Sequence, residues 1–273
     1  MIVALFPSKK KKQSFELAAG IKNFLEKHQI DIVAEDESAH QLAVKSLSSI
    51  DTKKIKFFIA IGGDGTILSL SHKYPDIDAA ILGINLGHVG FMADIPAADV
   101  YHSLQDLIKE AYTVEKRLMI ECSYQDKPIY AANDIVIHRA HNPSLIELAI
   151  YVDGMYFNTF SSDGIIIATP NGSTAYSLAA GGPILSPQLD AFVLTPISPH
   201  TISNRPIVLT ASHEIEVQAL SNTTHPIEIR ADGIKTFPIK TKEIVKFKKS
   251  KKTFNLMDAE IFDSVLRTTA DCQ

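Results

Sequence analysis

Three stretches of this chain set reactive side chains among residues too small to obstruct a ligand. The first is Gly62-Gly63-Asp64-Gly65-Thr66, directly after the apolar run at residues 55–61 (IKFFIAI). Glycines lack Cβ, so the N–H groups of Gly62, Gly63, Gly65 and Thr66 can approach a phosphate closely. A helix starting just beyond them adds the positive end of its dipole. Asp64 falls at the carboxyl end of a strand, where open α/β sheets bind ligands. The same residues equally suit a tight strand-to-helix turn with Asp64 as the helix cap. No Gly-Lys-Ser/Thr follows, so this is not a Walker A loop.

The second stretch is Asn133-Asp134, which interrupts an otherwise strand-like run at residues 131–138. An amide beside a carboxylate can grip two vicinal hydroxyls. A bulge or strand end uses the same pair to satisfy main-chain groups. The third is residues 163–183 (DGIIIATPNGSTAYSLAAGGP), where small and hydroxylated residues surround Tyr176. Such a loop offers N–H and hydroxyl donors, with an aromatic face for a base to stack on. The alternative is a surface loop with Tyr176 in the core. Lys9 to Lys12 could attract phosphates, but a lysine run ordinarily marks a solvated face, and so do Lys248, Lys249, Lys251 and Lys252. His72, His88, His138, His141 and His200 have no metal-ligand spacing, so no protein metal site is expected. Cys122 alternates with apolar neighbours and reads as core.

Together and in this order, the three stretches resemble the bacterial NAD kinases. That family carries GGDGT, an Asn-Glu/Asp pair and a D-G…T-P-T-G-S-T-A-Y-S-L-S-A-G-G-P block. Residues 198–206 (SPHTISNRP) resemble its P-H-x-L-S-x-R-P segment. GGDGT alone is also similar to lipid kinases and 6-phosphofructokinases, which lack the later motifs. Departures are Asn171 for Thr, Asp134 for Glu, Ala179 for Ser, Ile234 for Gln and Ser161 for a basic residue. They bear on the nicotinamide end of the site. The resemblance implies ATP-dependent phosphorylation of the 2′-hydroxyl of the adenosine ribose of NAD, giving NADP and ADP. By it, Asp64 is the general base and Gly62, Gly63, Gly65 and Thr66 hold phosphates. Asp64, Gly65, Asn133, Asp134, Asp163, Thr174, Ala175, Tyr176, Ser177, Leu178 and Ala179 would contact NAD. Mg²⁺ would arrive with ATP, and a homodimer or homotetramer is implied. A non-catalytic NAD(P)-binding regulator would keep the binding block but need no base.

Positioning these residues calls for two kinds of architecture. Residues 1–112 alternate short apolar runs with amphipathic segments, predicting a Rossmann-like α/β domain with a parallel sheet. Strands are expected at residues 2–6, 31–34, 55–61 and 79–84. Helices are expected at 13–28, through Leu42, Val44 and Leu47, at 67–72 and at 97–111. Residues 113–256 change to a period near two, with a turn at Asp126-Lys127-Pro128 and hairpin signals at Asp153-Gly154 and Asp232-Gly233. They predict a β-rich domain of two packed sheets. Residues 257–273 predict a helix, at 258–267, returning to the first domain. The nucleotide is expected in the crevice between the domains.

The 273 residues are 45% hydrophobic and 21% charged, which excludes a disordered chain. Two cysteines exclude a disulfide scaffold. A net charge of −4 argues against broad nucleic-acid binding. No apolar run is long enough to span a membrane, and the first lysines follow the N-terminal apolar run, the reverse of a secretory signal. A cytoplasmic protein is expected.

Overall fold

The computed structural model describes residues 1–76, 78–87, 90–125, 127–141, 144–200, 205–220 and 227–257. The chain forms two units, Met1–Lys116 joined by the chain from Phe254, and Arg117–Thr253.

The first unit runs β1 (Ile2–Pro7), α1 (Lys12–Lys27), β2 (Asp31–Ala34), α2 (Asp36–Leu42), β3 (Lys45–Ser46), β4 (Ile55–Gly62), α3 (Asp64–Lys73), β5 (Ala80–Asn85), β6 (Ile95–Pro96) and α4 (Val100–Ile108). Its strands are parallel, in the order β3-β2-β1-β4-β5, with β6 beside the end of β5. Residues 3–6 and 57–62 are buried on both faces, which is why they read as unbroken apolar runs. Leu5, Ile59, Ile61 and Leu82 meet Ile21, Leu25 and Leu104 of the helices in one core.

The second unit contains β7 (Val114–Tyr124), β8 (Lys127–Ala131), β9 (Asp134–His138), β10 (Ile146–Val152), β11 (Met155–Ser162), β12 (Gly164–Ala168), α5 (Tyr176–Ala179), β13 (Ala191–Ile197), β14 (Ile207–Thr210), β15 (Ile215–Ala219), β16 (Ile227–Ala231), β17 (Lys235–Ile239) and β18 (Ile244–Met257). One antiparallel sheet runs β14-β13-β12-β9-β16-β17, and another set runs β11-β10-β15-β18. Ile135, Ile165, Ile167 and Phe192 from the former pack on Leu148, Ile150, Val217 and Phe247 from the latter. Both Asp-Gly hairpins form. Asp153 and Gly154 have φ 51° and 76°, the pair of positive values that a two-residue turn matched to strand twist requires, and Asp232 and Gly233, at 50° and 65°, begin a three-residue connection between Ala231 and Lys235. Cys122 is buried and its thiol is pushed up to about 12 by that burial.

Some expectations need correction. The helix expected to run through Val44 and Leu47 ends at Leu42. Ala43 turns left-handed at φ 52°, and Val44 N–H closes the helix end on Ala39 O at 3.0 Å. No glycine marks this stop. Pro128 belongs to strand β8, opposite Ser123, rather than to a turn. The return to the first unit is made by the end of β18, where Asn255 and Leu256 pair in parallel with Ala80 and Ile81 of β5. The helix expected at residues 258–267 lies outside the described residues. Among the described residues no helix is long and apolar enough to cross a membrane.

Gly83 of β5 has no room for a side chain. A Cβ there would lie 2.7 Å from Met92 O and 2.9 Å from Ala93 Cα, both main-chain atoms. Gly83→Ala is expected to cost about 1–3 kcal/mol, the usual range for overpacking. A denaturant melt unchanged within about 0.5 kcal/mol would show that this loop yields.

Candidate functional site

In the first unit, β4 ends at Gly62 and α3 begins at Asp64, with Gly63 as its cap residue. Gly62 is small because its neighbours demand it. A Cβ there would lie 2.5 Å from Thr66 Oγ1 and 2.9 Å from Ser8 Cβ. Gly63 and Gly65 instead face open space, with no atom within 4 Å of an added Cβ. These glycines and Thr66 line a cavity of about 470 Å³ with Lys9, Lys10 and Lys11. The lysine run is therefore at the cavity and not only a solvated face. Lys11 Nζ donates to Gly62 O at 3.2 Å, while Lys9 pairs with Glu37, and Lys73, also on the cavity wall, pairs with Glu35. Thr66 N–H donates to Gly63 O at 2.8 Å, but the N–H groups at the very start of a helix lack intrahelical partners, so with the lysines they make an anion-binding surface.

Asp64 does not cap α3. Its Oδ1 accepts the N–H groups of Met92 and Ala93 at 3.2 and 2.8 Å, and Oδ2 accepts that of Phe91 at 2.9 Å. The carboxylate is thus held by three main-chain donors. A Cβ on Gly90 would lie 2.1 Å from Oδ1, so the loop passes against it.

In the second unit, a cavity of about 460 Å³ is lined by Asn133, Asp134, Asp163, Ala175 and Tyr176, and also by Arg139, Arg230 and Asp232. Between β8, which pairs with β7, and β9, which lies between β12 and β16 in the other sheet, the chain changes sheets, and Asp232 holds that crossing. Its carboxylate accepts the N–H groups of Ala132, Asn133 and Asp134 at 2.8, 2.8 and 3.0 Å. Asn133 O in turn accepts Thr169 N–H at 2.8 Å. Asp163 pairs with Arg139 Nε at 2.8 Å. Burial and the Arg230 guanidinium hold His138 below the usual imidazole range. Tyr176, 47% exposed, is not a core residue. Thr174, Ser177, Leu178 and Ala179 are not on the cavity wall. Thr174 Oγ1 donates to Asn171 O at 3.2 Å. Ser177 is fully buried, its hydroxyl 2.8 Å from Thr195 Oγ1.

Residues 3–112 match the ATP-NAD kinase N-terminal domain, and residues 132–259 match the ATP-NAD kinase C-terminal domain. The chain belongs to the ATP-NAD kinase family. It is 56% identical to an NAD kinase of Protochlamydia amoebophila over 263 residues, covering 96% of this chain and 94% of that one. An NAD kinase of Caldicellulosiruptor saccharolyticus is 36% identical, covering 94% of each. Among solved structures, an Archaeoglobus fulgidus NAD kinase in complex with ATP superposes with a TM-score of 0.80 at 26% identity, covering 97% of both chains. A yeast NADH kinase complexed with NADH shares the fold, with a TM-score of 0.87 at 24% identity over 97% of this chain and 85% of that one.

Within this NAD kinase family chain, several cavity residues carried no signal in the sequence. Asp232 read as half of a hairpin turn, and nothing linked it to Asn133, 99 positions away. Arg139 and Arg230 stood in no motif. Of the SPHTISNRP segment, residues 201–204 lie outside the described residues.

Asp134 is the most perturbed group of the second cavity. Burial, then the charge of Asp232, push its carboxyl up to about 7. Unfolded, it would titrate near 3.9. Between these values the folded chain keeps a proton that the unfolded chain has released. The stability from this carboxyl is therefore full below about pH 4 and is lost as pH rises through about 7. Asp134→Asn should accordingly raise the Tm at pH 8 by roughly 2–6 °C over the parent and leave it nearly unchanged at pH 4. Thermal melts at both pH values check this, and a gap independent of pH would mean that Asp134 ionises normally in the fold.

Proposed function

We propose that this chain transfers the γ-phosphoryl group of ATP to the 2′-hydroxyl of the adenosine ribose of NAD, giving NADP and ADP. The observation that carries the reading is the second cavity, where an amide, a carboxylate and an exposed tyrosine converge beside Asp163. Asn133 and Asp134 would hold the ribose hydroxyls. Tyr176 would stack on the adenine, with Ala175 and Asp163 at its edge. Ser177, Leu178 and Ala179 would build the short helix that carries Tyr176, and Thr174 the turn that precedes it, rather than touch the nucleotide. Gly62, Gly63 and Gly65 would receive donor phosphates through main-chain N–H groups and Thr66 through its hydroxyl, since the Thr66 N–H donates to Gly63 O at 2.8 Å, aided by Lys10 and Lys11.

A sugar hydroxyl is a poor nucleophile until its proton has somewhere to go. Asp64 would take it. A carboxylate has about four lone-pair positions, and among the described residues Phe91, Met92 and Ala93 use three, which leaves one on Oδ2 for the substrate proton. Mg²⁺ would enter chelated by ATP and neutralise its phosphate charge. Lysines and N–H groups suit phosphate oxygens rather than the ion, so the chain itself need not cage it. The cytoplasm, and a homodimer or homotetramer, complete the reading. Association is supported by the family resemblance and by Met155, Tyr156 and Phe157, which are 71%, 62% and 42% exposed on β11. NADP formation from NAD and ATP by the purified chain tests the reaction, with diacylglycerol and fructose 6-phosphate as control acceptors. No NADP with active control kinases in parallel would reject it.

Asp64→Asn should keep NAD binding and lower kcat by roughly 10²–10⁴. A variant retaining more than about a third of parental kcat would remove Asp64 from the role of base. Tyr176→Ala should weaken NAD binding by about 1–3 kcal/mol, the worth of stacking a base on an aromatic ring. Calorimetry on the folded variant decides, and an unchanged Kd would leave Tyr176 without contact to the base.

A further inference from the structure

The direction in which Asn133 hydrogen-bonds is fixed from inside the second unit. Arg117 is buried, 1% exposed, and its Nη1 donates to Asn171 Oδ1 at 3.2 Å. A guanidinium carries donors only, so Asn171 must turn its oxygen toward Arg117. Its nitrogen then faces the other way and donates to Asn133 Oδ1. An isolated amide can exchange the two ends by a flip. Here a flip of either amide would set donor against donor or oxygen against oxygen. Asn171 has no room to withdraw. It is 6% exposed, and the next residue, Gly172, passes so near Asn133 that a Cβ would lie 2.1 Å from the Asn133 carbonyl oxygen. With its oxygen occupied, Asn133 meets a ligand through its NH₂ group. Once ionised, the form that hydroxyl donors from a ligand favour, the Asp134 carboxylate beside it can only accept. A donor next to an acceptor matches two vicinal hydroxyls, one accepting and one donating.

We infer that Asn171 is a positioning residue that sets Asn133 as the donor toward the ribose, its own direction being set by Arg117. The inference rests on the proposed reading of this cavity as the ribose site. Position 171 is also where the chain departs from the threonine of the NAD kinase pattern, so the device is written in this chain's own residues.

Asn171→Asp tests it. Aspartate keeps an oxygen toward Arg117 but cannot donate, which turns Asn133 over and presents its oxygen beside the carboxylate of Asp134. NAD binding, read as Kd by calorimetry, should weaken roughly tenfold, the worth of one misplaced polar contact. The KM for ATP should not change. In an Asn133→Ala background, Asn171→Asp should add nothing, because it acts through Asn133. An unchanged Kd in the folded variant overturns the inference, and so does the same tenfold loss without Asn133. Should Asn171→Asp fail to fold, Asn133→Asp replaces the donor by an acceptor and keeps an oxygen toward Asn171. It should show the same loss, and an unchanged Kd again overturns the inference. A parental chain that binds NAD but forms no NADP overturns the proposed reaction and leaves this inference standing. One that binds no NAD overturns both.

Discussion

A carboxylate that accepts three main-chain N–H groups organises this chain's second cavity. Between β8 and β9 the chain passes from one sheet to the other, and the amides of Ala132, Asn133 and Asp134 need acceptors other than a strand ladder. A buried amide without an acceptor costs about as much as a lost hydrogen bond. Asp232 supplies the acceptor to all three. Because a tight Asp-Gly turn carries it, its position is set by the hairpin of β16 and β17. The crossing can then exist without fraying, and the side chains of Asn133 and Asp134 leave the sheet for the cavity. The first unit repeats the device, with Asp64 gathering Phe91, Met92 and Ala93.

The arrangement has an electrostatic cost that the cavity tolerates. Asp134 lies next to Asp232, and burial together with that charge holds its carboxyl near 7. Arg139 and Arg230 line the same cavity, Arg139 beside Asp163 and Arg230 beside Glu228. Hydroxyl donors from a bound ribose would favour the ionised carboxyl, since hydrogen bonds to the charged form lower a carboxyl's pKa. Binding of a ribose there and proton release at Asp134 would thereby be coupled.

Much of the fold was legible because its signals are local. The runs in β1, β4 and β5 are apolar on both faces, and the two Asp-Gly pairs state their turn chemistry outright. The end of α2 was not legible, because Ala43 takes a left-handed conformation without glycine. The site divides in the same way. Gly62 to Thr66, Asn133, Asp134 and Tyr176 announce themselves by residue type and spacing. What those residues hold does not, since the partners of Asp64 lie 27 to 29 positions away and those of Asp232 lie 98 to 100 away. Ser177 shows the converse limit. It sits within a binding block, yet it faces Thr195 in the interior.

The first unit is not contiguous in the chain. Its strand β5 has β4 on one side, and on the other it pairs with Asn255 and Leu256. Ala80 must therefore wait for a partner made 175 residues later, 255 less 80. At roughly 5–20 residues per second, synthesis of that stretch takes about 10–35 s. During that interval part of β5 is an open strand edge on the nascent chain, a template for pairing with other chains. The whole second unit must leave the ribosome before the first can close its sheet. An emerging chain of this kind depends on whatever shields that edge in the meantime.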